Sequence, residues 1–306
     1  MNFVSRNTVL YELSGKNSPV LEVNPKEEVV FETYDCFTEQ IKKPDDKFSN
    51  IGWDRINPAT GPIAIKDAVP GDVLKVNIKD ISVADFGVMI TSPGFGVLGD
   101  EIKEETSKII PINNKKAEFD NLKLSIKPMI GVIGTTLPNE DIPCGTPKGH
   151  GGNMDCKEIV AGSSVYLPVN HKGGLLALGD LHALMADGEV SMTGLEVSGK
   201  VTLDIEKISQ MSSSLPLPMI TNKENLIVIH SEKTLDEAVF VGTSKTVEFL
   251  TKFSTLSKED AISLLSLVGQ VKICQVVDPL MTIRIEIPLN ILNRIGIYEN
   301  KWTNMC

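Results

Sequence analysis

Two short phrases near the middle of this 306-residue chain hold side chains able to do chemistry together: His150-Gly-Gly-Asn153-Met-Asp155-Cys-Lys157 and Gly179-Asp180-Leu-His182. Each sets a carboxylate near an imidazole. In an extended strand, residues two apart share a face, so Asp180 and His182 project together. Burying such a pair costs free energy unless the groups are paired or bind an ion. Taken alone, it reads as a hydrogen-bonded pair ordering the core. The first phrase adds a second reading. Its glycines let the backbone turn sharply and approach another group closely. An extended 155–159 would put Asp155 and Lys157 on one face. Imidazole with carboxylate oxygen suits zinc, and a carboxylate-rich set also suits calcium. The spacing matches no H-E-x-x-H motif.

Asp187-Gly188 between two apolar segments, Leu175–Ala186 and Glu189–Val197, marks a β-hairpin. Its register decides whether Glu196 joins the site. A two-residue loop pairs Asp180 with Leu195 and turns Glu196 away. An odd loop or a bulge puts Glu196 on the face of Asp180 and His182.

Positioning these groups falls to strands. Glu28–Tyr34 reads as a strand that delivers Asp35, the polar segment 41–50 as a surface loop, and Asn57–Pro62 as a turn or irregular loop. Val73–Ile81 and 108–130 alternate at period two, with a charged turn near Asn113–Lys116. The glycine-rich TSPGFGVLG at 91–99 lacks a phosphate-loop frame and reads as a plain loop. Frequent turns between short strands indicate a β-sandwich or jelly roll. After the connector Ser212–Pro218 the character changes. Thr234 and Ser257 open two helices, and strands follow at 271–277 and 282–287. The expected fold is mainly β, with a β-sandwich portion at 1–214 and an α+β portion at 215–306 packed against it.

The formal charge of −10 and sequence pI near 5.0 disfavour nucleic acid and anionic membrane as partners. No apolar run approaches the ~18 residues of a membrane span, and the start lacks a signal-peptide pattern. Five irregularly spaced cysteines without a C-x-x-C pair fit a reduced, cytoplasmic setting. Cys144 and Cys156 read as packed residues, His171 as exposed, and Trp53 and Trp302 as lining either a pocket or an interface.

The combination HGGNMDCKEI, SSVYLPV, GDLHALMADGEV and TGLEV resembles the acetamidase/formamidase family, and the likeness extends through NPATGPI, PGDVLKV and PMIGVIGTTL to LSKEDAISLLSLVGQVKICQVVD. The resemblance implies a jelly-roll-type sandwich, homo-oligomers (dimer or higher), and hydrolysis of short amides to carboxylate and ammonia. His150, Asn153, Asp155, Lys157, Asp180, His182, Asp187, Gly188, Glu189 and Glu196 match its pattern, and Asp35 matches a recurrent aspartate. The expectation is a divalent metal, zinc or calcium, held among His150, Asp155, Asp180, His182, Glu196 and Asp35. Lys157 would aid the oxyanion, Asp187 or Glu189 would act as base and acid, and Asn153 would bind substrate. A metal-free route through the Asp180–His182 pair or the Cys144 thiol is one rival. A binding protein with a structural calcium ion is the other.

Overall fold

Period-two alternation governs most of the first two hundred residues, and the chain lays them down as strands. The computed structural model describes residues 2–303. Two large sheets face each other across one core. The nine-stranded sheet includes Glu28–Thr33, Gly199–Ile208, Val73–Val83 and Ser164–Pro168 as successive neighbours. The eleven-stranded sheet is built around Leu176–His182. That strand pairs with Met129–Gly134 along one edge and with Ala59–Ile65 and Glu196–Val197 along the other. Between the sheets, Phe31, Val76, Ile78, Val165 and Leu203 of the first share one buried cluster with Ile63, Ile130, Ile133, Leu178 and Leu181 of the second. Burying each such side chain contributes about 1.5–3 kcal/mol.

The sheet does not stop at the composition change near residue 214. Ser164–Pro168 pairs with Met219–Thr221, with Val165 opposite Ile220, so the C-terminal strands extend the same nine-stranded sheet. A second core forms there from Tyr166, Met219, Val228, Phe249, Leu250 and Ile283. Helix Leu235–Phe253 starts where the Thr234 side chain accepts a hydrogen bond from the Glu237 N–H, and helix Lys258–Val268 where Ser257 does the same for Asp260. Both match their sequence signals. The segments Leu289–Arg294 and Asn300–Thr303 are short helices that carried no such signal, and the second buries Trp302 in this core. The side chain of Trp53 and residue Cys306 lie outside the described residues.

Two segments differ from their sequence reading. Residues 41–50 form a loop, yet Ile41 and Phe48 are buried in a cluster with Phe37, Val88 and Ile90. A polar average concealed two apolar anchors. Asn57–Pro62 is not a free turn: Ala59–Ile65 is a wholly buried strand. A register irregularity opposite Leu176 and Leu178 accommodates its Gly61-Pro62 step, as bulges do. Among the described residues, no helix is long and apolar enough to cross a membrane.

Because the sheet is continuous, a fragment ending at Ser214 would leave Ser164–Pro168 as a bare edge and Tyr166 without its core. It is expected to be insoluble or to lack near-UV circular dichroism. A 1–214 fragment that melts cooperatively would contradict this.

Candidate active site

The strand Leu176–His182 presents the first two groups of the site. His182 lies directly opposite Glu196 in the antiparallel pair, so Glu196 shares its face. The odd parity required for that holds, but not through a tight hairpin. Residues 183–195 form a long irregular connection, in which Asp187 is held by Arg284 and Gly188 pairs with Gln275 of the C-terminal sheet. Three carboxylates surround the imidazole: His182 Nε2 lies 3.2 Å from Glu196 Oε1, 3.5 Å from Asp180 Oδ1 and 3.7 Å from Asp155 Oδ1. Asp155 does not continue an extended strand. It follows the strand Gly151–Asn153 with φ +42°, and Asp180 has φ +54°; both sit in the left-handed region that functional strain often occupies. Gly131 explains how the two carboxylates can meet. A Cβ there would lie 2.5 Å from Asp155 Oδ1 and 2.8 Å from Asp180 Oδ2. Asn57 supports the pair by donating to Asp180 Oδ2 at 3.1 Å.

The connection 183–195 brings Glu189 to the same place, within ligand-sharing distance of Asp155 and His182. A further carboxylate comes from the C-terminal portion: Asp278 stands beside Asp155 and accepts from Asn153 Nδ2 at 3.0 Å. Asn153, Asp180, His182, Glu189, Glu196 and Asp278 line a cavity of about 80 Å³, walled by Cys36, Phe37, Phe48, Ile56, Phe95 and Met192. Ordinary ligand clefts measure roughly 300–1,000 Å³, so this one admits only a very small solute.

Asp155, Asp180, Glu189 and Glu196 thus surround a single imidazole, and Asp278 stands beside Asp155. Among the described residues lining the cavity, none is a lysine or arginine. Two like charges 4 Å apart repel by about 4 kcal/mol at an effective dielectric constant near 20, so these groups cannot all ionise unaided. Their acidities show the conflict. Burial pushes Glu196 up to about 8, with Asp180 adding to the shift and His182 opposing it. Burial likewise pushes Asp155 up to about 6 and raises Glu189 and Asp278 well above the usual carboxylate range. Burial alone would lower His182, but Glu196 and Asp180 hold its pKa well above the ordinary value.

Other residues singled out from the sequence stand elsewhere. His150 is fully buried, with neither ring nitrogen hydrogen-bonded; it does not line the cavity and belongs to neither cluster of ligand atoms. Burial lowers its pKa to about 4, with Lys148 adding to the shift. Asp35 Oδ1 accepts from the backbone N–H groups of Phe37 and Glu39, so it fixes the loop that brings Phe37 to the wall. Lys157 and Asp187 do not line the cavity: they pair with each other at 2.8 Å, and Asp187 also pairs with Arg284. Cys144 is buried outside the cavity, and burial pushes its thiol up to about 12, which disfavours a thiolate nucleophile. His171 is exposed.

Sequence reasoning passed over Asp278, Cys36, Asn57 and the aromatic wall. Asp278 ends the stretch LSKEDAISLLSLVGQVKICQVVD, and Asn57 begins NPATGPI, so both lay in the segments that carried the resemblance. Phe95 lies in the loop 91–99, whose sequence gave no hint of such a role.

The donor set fits a divalent cation. Asp155 Oδ1, Asp180 Oδ1, Glu189 Oε2, Glu196 Oε2 and His182 Nδ1 are buried without a hydrogen-bond partner. Their ligand atoms fall into two groups, Asp155–His182–Glu189 and Cys36–Asp180–Glu196, each within 4.8 Å. Mixed carboxylate and imidazole suits zinc or a similar borderline ion, and the oxygen excess suits calcium.

The chain belongs to the Acetamidase/Formamidase family, whose model matches residues 16–146 and 142–294. The crystal structure of the acetamidase of Bacillus halodurans superposes with a TM-score of 0.94 at 40% identity, covering 96% of this chain and 99% of that one. That of a predicted acetamidase/formamidase from Thermoanaerobacter tengcongensis gives 0.94 at 44% identity, over 97% and 98% of the two chains. The formamidase of Methylophilus methylotrophus is 24% identical over 243 residues, 60% of each protein. The chain spans 63% and 60% of the lengths of its curated relatives in Schizosaccharomyces pombe and Methylophilus methylotrophus.

A carboxyl whose folded pKa exceeds its unfolded value binds more protons when folded. Its contribution to stability is complete below the unfolded pKa and is lost as pH rises through the folded one. For Glu196 that window runs from 4.5 to about 8. Metal-free protein is therefore expected to lose melting temperature over this range more steeply than metal-free Glu196→Gln. Equal slopes in thermal melts would refute the assignment. Gly131→Ala, which drives a methyl group into Asp155 and Asp180, is expected to weaken metal binding at least tenfold by equilibrium dialysis.

Proposed function

We propose that this protein hydrolyses short linear amides, of the size of formamide and acetamide, to carboxylate and ammonia with the help of a bound divalent ion. The observation that carries the reading is the cage of buried carboxylates around His182, opening on a cavity of about 80 Å³. Family membership supports amide hydrolysis, and the cavity supports a small substrate. Asp155 and His182 or Asp180 and Glu196 would hold the ion. When bound, it supplies Lewis acidity, lowering the pKa of a nearby water toward ~7 and steadying negative charge on the amide oxygen.

The chain's own residues do the rest. Asn153 Nδ2 is tied to Asp278, which leaves Oδ1 buried, on the cavity wall and without a partner. That oxygen is placed to accept an N–H of the substrate amide and so to orient its carbonyl. Glu189 lines the cavity with Oε2 unpaired, and its raised pKa suits a group that takes a proton from water and returns it to departing ammonia. Phe37, Phe48 and Phe95, meeting edge to face at 6.0 and 5.8 Å, keep bulk water out and leave room for hydrogen or methyl on the acyl side. The cytoplasmic setting read from the cysteines and the homo-oligomeric assembly implied by the family belong to the same reading.

Ammonia release from a panel of short amides tests the reading. Glu189→Gln is expected to lower kcat roughly 10²- to 10⁴-fold, and Asn153→Ala to raise KM. Exhaustive chelation should abolish turnover, and zinc or calcium should restore it. Full turnover in chelated protein with no metal detectable by elemental analysis would overturn the metal-assisted route.

A further inference from the structure

Arg284 is the one arginine among the described residues whose side chain is wholly buried, and its five donors are not spent on the cavity. Nη1 and Nη2 donate to the two oxygens of Asp187 at 2.6 and 3.0 Å, Nε donates to Glu286 at 2.7 Å, and Nη1 also reaches the Ile273 carbonyl. The fork fixes the aspartate in orientation as well as position. Beside it, the backbone is stitched across: the Gly188 N–H donates to the Cys274 carbonyl at 2.8 Å, and the Val276 N–H to the Gly188 carbonyl. Lys157 closes the third side at 2.8 Å from Asp187 Oδ2. Gln275 Oε1, in the same strand, accepts from the N–H groups of Val277 and Asp278 and shapes the turn that presents Asp278.

Each strand of this knot ends in a site carboxylate: Lys157 lies two residues after Asp155, Asp187 two before Glu189, and Gln275 three before Asp278. We propose that Arg284, Asp187 and Lys157 form a positioning clamp that sets Glu189, Asp155 and Asp278 against one another, so that the C-terminal portion completes the active site. The two residues that family likeness suggests as acid, base or oxyanion aid act instead as positioning residues, one remove from the substrate. The inference rests on reading the carboxylate cage as the catalytic site.

The test compares purified holoenzyme carrying Asp187→Asn, Lys157→Met, Glu189→Gln, and Asp187→Asn with Glu189→Gln. A misplacement near 1 Å costs about 100-fold, so Asp187→Asn should lower kcat for acetamide by roughly 10- to 100-fold with little change in KM. Hydrogen exchange at Gly188 and Val276 should accelerate. In the Glu189→Gln background the same substitution should cost several-fold less, because one of the three groups it positions is gone. A merely stabilising role would cost the same in both backgrounds. Lys157→Met, at a partly exposed position, should repeat the pattern more weakly and serves if Asp187→Asn does not fold. The clamp is overturned if Asp187→Asn and Lys157→Met keep kcat within about twofold of the unsubstituted enzyme while Glu189→Gln is inactive. If Glu189→Gln retains full kcat, the reading of the cavity fails first, and the clamp with it.

Discussion

Four carboxylates buried about one imidazole, with half-buried Asp278 beside them, repel one another, and most of the architecture makes sense as a means of forcing them together. In water these groups would separate and ionise. Here Gly131 removes the methyl group that would part Asp155 from Asp180, and Asn57 and Asn153 each tie down one carboxylate by a hydrogen bond. Among the described residues lining the cavity, none supplies positive charge beyond His182. The balance must come from protons or from a cation. The raised pKa values of Glu196, Asp155, Glu189 and Asp278 describe the first condition, and the unpartnered oxygens of Asp155, Asp180, Glu189 and Glu196 describe readiness for the second.

That arrangement explains why one sheet spans both parts of the chain. The central strand of the sandwich provides Asp180 and His182, its neighbour Glu196, and the loop after Gly151–Asn153 provides Asp155. Asp278 comes from beyond the second helix. A carboxylate from so distant a segment can hold its place only if the intervening structure is rigid. The continuous pairing from Ser164–Pro168 through Met219–Thr221 to Met281–Pro288 gives that rigidity.

Much of this was legible in the chain itself. Period-two strands, the two capped helices and the pairing of Asp180 with His182 follow from local rules, whereas the parity that admits Glu196 stayed open. The unread parts depended on distant partners. Asp187-Gly188 carries the signature of a tight hairpin, yet Arg284, almost a hundred residues later, binds Asp187 and draws the segment into a long connection. Asn57-Pro-Ala-Thr-Gly-Pro62 has turn composition, yet burial between strands makes most of it extended. His150 adjoins the motif in sequence but belongs to neither group of ligand atoms, because the glycine turn that follows it redirects the chain toward Asn153 and Asp155. Phe48 and Phe95, from separate loops, meet only in three dimensions.

The most direct measurement is calorimetric titration of metal-free protein with zinc and with calcium, repeated in buffers of different ionisation enthalpy near neutral pH. Carboxyls held protonated by burial must give up protons when an ion takes their place. The account predicts saturable binding of at least one ion per chain with net proton release, and weaker binding with fewer protons released in Glu196→Gln. Absence of binding at millimolar ion by a folded, amide-hydrolysing protein, or binding with no proton exchanged, would contradict it.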